Sequence, residues 1–62
     1  MTIDKLFLKC EYIADKYETN MLSVLDIYTT IERTEKLSGK PYDFKTISEY
    51  TERYFKELSE LI

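Results

Sequence analysis

Sixty-two residues with a formal charge of −3 describe one domain with room for only a small core. The chain has no histidine and a single cysteine, Cys10, which excludes an internal disulfide and leaves no set of ligands for a nitrogen- or sulfur-bound metal. An apolar content of 44%, with three Phe and six Tyr, argues against disorder, and the mild acidity disfavours nucleic acid and anionic membranes as partners.

The first element is an amphipathic helix over about residues 3–17. Ile3, Leu6, Phe7, Cys10, Ile13, Ala14 and Tyr17 recur at helical spacing, with Thr2 as N-cap and Asp4 in the first turn. Cys10 lies in the middle of that stripe and reads as a small buried hydrophobe, because no neighbouring base would activate a thiol. Leu8 and Tyr12 point away from the stripe. Lys5, Lys9 and Lys16 flank them on one side and Asp4, Glu11 and Asp15 on the other.

Glu18-Thr19-Asn20 interrupts the pattern, and Thr19 or Asn20 can cap a second helix over about 21–38. Met21, Val24, Leu25, Ile27, Tyr28 and Ile31 form its apolar face. That face fades at Glu32 and Glu35, and Thr29, Thr30 and Thr34 are poor helix formers. The first three turns are therefore expected in the core, and the last two exposed or frayed. Gly39, followed by Pro41, ends the helix in a sharp turn.

The third helix is expected over about 43–61. Asp43 is its N-cap, with Tyr42 and Ile47 spaced as a hydrophobic staple. A capping box at Thr46 to Glu49 offers a start one turn later. Its apolar stripe is Phe44, Ile47, Tyr50, Tyr54, Phe55, Leu58, Leu61 and Ile62. Glu49–Arg53 and Glu52–Lys56 are spaced as ion pairs on the solvated face. Tyr17, Tyr28, Tyr50 and Tyr54 are assigned to the core.

Together these elements predict an all-α fold, a small three-helix bundle spanning residues 1–62 as one domain. Homodimerisation is a way to complete it, and the competing picture is a helical hairpin paired with another copy. The opening residues carry an acid where a signal peptide has bases, and Lys9 breaks the apolar run, so a cytoplasmic location is expected. Abundant Ile, Lys, Tyr and Glu suit an AT-rich genome, such as that of a low-GC bacterium or its phage.

Catalysis has little to work with. Without histidine the usual general base is missing, and no Ser or Cys has a base at recognisable spacing. One glycine cannot build a phosphate loop. No cofactor is expected. Arg33, Lys36, Lys40 and Lys45 surround the second turn against Glu35 and Asp43, the outline of a helix-turn-helix with a basic turn. Yet the third helix opens Asp43-Phe44-Lys45-Thr46-Ile47-Ser48-Glu49, with one base and two acids where base-reading side chains belong. Protein contact is the better reading. Leu8, Tyr12, Leu22, Leu37 and Tyr42 leave the apolar faces and are the expected partner-binding residues. The expected role is a non-enzymatic regulator, inhibitor or adaptor, of the kind phages and mobile elements carry. It would occlude a larger protein, such as a nucleic-acid-handling enzyme or a transcription regulator. DNA binding through residues 33–45, or a purely structural homo-oligomer, are the alternatives.

Overall fold

A computed structural model describes the backbone of residues 3–61 and the side chains of residues 5–61. Three helices follow in order: α1 (Ile3–Lys16), α2 (Met21–Leu37) and α3 (Phe44–Glu60). The expected three-helix bundle is present, with every boundary within one residue of its sequence assignment. Thr2, Ile62 and the side chains of Ile3 and Asp4, all used in the sequence argument, lie outside the described residues.

Each turn follows from local chemistry. Glu18 adopts a left-handed φ of 52°, and the Thr19 N–H donates to the Ala14 carbonyl at 2.8 Å, closing the end of α1. Asn20, rather than Thr19, caps α2: its Oδ1 accepts the Leu22 N–H at 2.7 Å. At the other end Gly39 takes φ +71°, and the N–H groups of Gly39 and Lys40 donate to the carbonyls of Lys36 and Glu35. Only a residue without Cβ reaches that conformation without strain. Asp43 caps α3 by accepting the backbone N–H of Thr46 at 3.3 Å and its hydroxyl at 2.8 Å. The alternative start one turn later is not used.

The second half of α2 is exposed as expected, but it does not fray. The hydroxyls of Thr29 and Thr30 both donate to the Asp26 carbonyl, Thr34 donates to Thr30, and Ser38 donates to Thr34. These bonds satisfy the side chains on the helix itself, so poor propensity is tolerated through Leu37.

The core holds Cys10, Ile13 and Ala14 from α1, Val24 from α2 and Phe55 from α3, flanked by Leu6, Tyr17, Met21, Leu25 and Ile27. Tyr28 and Ile47 are also buried. On α3 the buried face is Ile47, Ser48, Thr51 and Phe55, rotated from the stripe drawn on the sequence. Tyr50 and Tyr54, assigned to the core, are 37% and 42% exposed, and Leu58 and Leu61 are exposed too. The reason is size and hydrogen bonding. Small side chains at a helix crossing let the backbones approach. The Thr51 hydroxyl donates to the Ile47 carbonyl at 2.7 Å, so its burial leaves no loose donor. The rings of Tyr50 and Tyr54 sit on the shoulder of that seam, where Tyr54 meets Phe55 edge-on at 5.1 Å.

Helix α2 packs against both neighbours, whereas α1 and α3 touch each other least. The molecule is accordingly flattened, 32 × 27 × 15 Å. Among the described residues no helix is long and apolar enough to cross a membrane.

Two buried oxygens, Tyr28 Oη and Ser48 Oγ, have no hydrogen-bond partner among the described residues. An unpaired buried hydroxyl is destabilising. Tyr28→Phe, which keeps the ring against Phe44 at 6.4 Å, is therefore expected to raise stability in urea unfolding. The gain should be about 1 kcal/mol. A loss of stability would show that the hydroxyl is bonded.

Candidate protein-contact groove

Because α1 and α3 meet least closely, a shallow groove runs between them. Near the start of α3 it is lined by Lys5, Leu8, Lys9, Tyr12 and Phe44, enclosing about 380 Å³. Farther along it is lined by Lys16, Tyr17, Glu49, Glu52, Arg53 and Lys56. One carboxylate joins the two parts. Glu52 Oε1 accepts from Lys9 Nζ at 3.2 Å, and Oε2 accepts from Lys16 Nζ at 2.9 Å. This corrects the expected Glu52–Lys56 pair on a solvated face. Glu52 faces α1, and two lysines one helix away offer it better geometry than one on its own helix. The Lys16 ammonium is consequently held above its usual range, chiefly by Glu52 with a lesser part from Tyr12. The Glu52 carboxyl is pushed down, most by the Lys16 hydrogen bond and against some desolvation.

The lysines also stand over rings. Lys5 lies 5.0 Å from the Phe44 centroid, Lys9 lies 4.9 Å from Tyr12, and Lys16 lies 5.6 Å from Tyr12 and 5.5 Å from Tyr17. Such contacts order long flexible side chains at small energetic gain. The result is an apolar strip of Leu8, Tyr12 and Phe44 beside a row of ammonium groups. Leu8 is 67% and Tyr12 51% exposed, so neither is spent on the core.

The other expected contact residues are placed elsewhere. Leu37 and Tyr42 flank the α2–α3 turn, where Lys36 stands 5.7 Å over the Tyr42 ring. Leu22 lies at the opposite end of α2, about 22 Å along the helix from Leu37. All three are exposed, but none of them lines the groove. Arg33, Lys36, Lys40 and Lys45 are exposed around the turn. At the adjoining N-terminus of α3, Asp43 accepts donors that a phosphate would need. Its carboxyl is held below the usual range, first by the Thr46 hydroxyl and then by the Thr46 N–H.

Sequence reasoning found Leu8 and Tyr12 but missed Phe44 as their neighbour, and Glu52, Arg53 and Lys56 in the farther part of the groove. Charge order within one helix carries no signal for a pair bridging two helices. Cys10 is buried as expected, and desolvation raises its thiol pKa.

The Glu52 bridge has a pH signature. A carboxyl with a depressed folded pKa contributes stability above its unfolded value of 4.5, lost as pH falls through the folded value. Lys16, raised above 10.5, contributes below that value and loses its part as pH climbs beyond it. Glu52→Gln should therefore flatten the fall in melting temperature between about pH 5 and about pH 3, relative to the unaltered chain. Parallel curves would show that the bridge is not populated in solution. No family model, curated protein or solved structure matches the chain.

Proposed function

We propose that the chain is a non-enzymatic interaction module, a regulator, inhibitor or adaptor that works by covering part of a larger protein. A nucleic-acid-handling enzyme or a transcription regulator in the cytoplasm is a fitting target, and a phage or mobile element a fitting carrier. The observation that carries the reading is the placement of Leu8 and Tyr12. Both stand outside the core beside Phe44, in a groove rimmed by lysines. A strip of apolar side chains with a polar rim is what a protein interface needs at its centre. The mechanism is steric occupancy. The Asp43 carboxylate, held charged at the α3 N-terminus, weighs against the DNA-binding alternative at the basic turn.

The test is capture of a partner by the tagged chain from its native host. Leu8→Ala with Tyr12→Ala should abolish capture while circular dichroism shows unchanged helicity. Retained capture removes this surface from consideration.

Self-association through a different face is a second reading. Tyr50, Tyr54, Leu58 and Leu61 share one side of α3 and are all exposed. The accessible surface, 4652 Å², is larger than the ~4,250 Å² expected for a monomer of this mass. A homodimer covering this ridge would have a melting temperature that rises with concentration. Tyr54→Glu with Leu58→Glu should remove that dependence and leave a monomer in sedimentation equilibrium. A monomer without either substitution ends this reading.

A further inference from the structure

The charge of this molecule is segregated. Five of its nine basic side chains line the α1–α3 groove, against two of its twelve acidic ones. The rest of the chain is left strongly acidic. A cationic groove on an anionic body carries a dipole that steers negatively charged partners to one place.

We infer that this groove takes an acidic amphipathic segment of a protein partner, its carboxylates on the lysine row and its apolar side chains between Leu8, Tyr12 and Phe44. The inference rests on the contact reading above and names the chemistry of what is contacted. Glu52 displays that chemistry within the chain. Its carboxylate sits between two ammonium groups at 3.2 and 2.9 Å. Each ammonium carries three N–H donors and gives Glu52 one, so both retain donors for a second carboxylate. The rings beneath Lys9 and Lys16 hold these side chains in place, which lowers the ordering cost of a new pair. The apolar strip selects further. A partner with acids alone would leave Leu8 and Tyr12 wet, whereas an amphipathic one buries them. Nucleic acid fits less well, because its continuous backbone charge would meet the acidic remainder of the surface.

Fluorescence anisotropy with three labelled probes tests this: a helical peptide of glutamate and leucine, its counterpart with lysine for glutamate, and a short DNA duplex. The acidic peptide should bind alone of the three, with affinity falling from about 50 mM to about 300 mM salt. Lys9→Gln with Lys16→Gln should weaken it about tenfold. Glu52→Gln should tighten it severalfold, since that substitution releases both lysines and adds a unit of positive charge to the groove. A bridge that only fastened the helices would instead give a lower melting temperature and no tighter binding, which overturns the inference. Equal binding of the lysine peptide, or tighter binding of the duplex, overturns it as well. If the acidic peptide fails to bind while Leu8→Ala with Tyr12→Ala still abolishes partner capture, the contact reading stands and the acidic occupant is wrong. If the peptide binds as expected while that double variant keeps its cellular partner, the groove chemistry stands and occlusion through it falls.

Discussion

The whole fold hangs on a narrow seam where small side chains let three helices come close. Cys10 and Ala14 on α1, Val24 on α2, and Ser48 and Thr51 on α3 are all buried. Among the described residues, the larger buried side chains added to them are Ile13, Tyr28, Ile47 and Phe55, with Leu6, Tyr17, Met21, Leu25 and Ile27 partly buried around them. A chain of this length cannot enclose more. Large aromatic and aliphatic side chains that share a helical face with the seam are pushed to its shoulders, as Tyr50, Tyr54 and Leu58 are. Their exposure is a consequence of how the core closes.

The same economy opens the groove. With α2 packed on both neighbours, α1 and α3 meet each other least. A carboxylate from one helix spans two ammonium groups of the other instead. Such partly exposed bridges contribute little to stability, because solvent screens them and ordering long side chains is costly. Their effect here is positional. Glu52 draws Lys9 and Lys16 toward α3, and the rings of Tyr12 and Tyr17 lie against the same two lysines.

The contact surface proposed here needs no reactive group. What it offers is shape, a strip of apolar side chains and a field of one sign set against a body of the other. The basic turn at residues 33–45 differs in kind. Its charges are exposed around a helix N-terminus already capped by Asp43, and Lys36 is drawn over Tyr42. That turn is organised by its own local contacts.

Much of the backbone was legible in the residues alone. Helical periodicity, Asn20 and Asp43 as caps, and Gly39 with Pro41 as a stop placed all three helices, because these signals act within a few residues. Leu8 and Tyr12 could be read as outward-facing for the same reason: a helix fixes the angle between its own side chains. What the sequence could not rank was one apolar face against a neighbouring one. Ser48 and Thr51 look polar on paper, and Tyr50 and Tyr54 look like core. Only the close approach of the helices reverses them, since it rewards small volume and a hydroxyl that bonds its own helix. Phe44 beside Leu8, and Glu52 between Lys9 and Lys16, were likewise decided by tertiary structure. Those meetings depend on how whole helices are set against each other, and no local spacing records that.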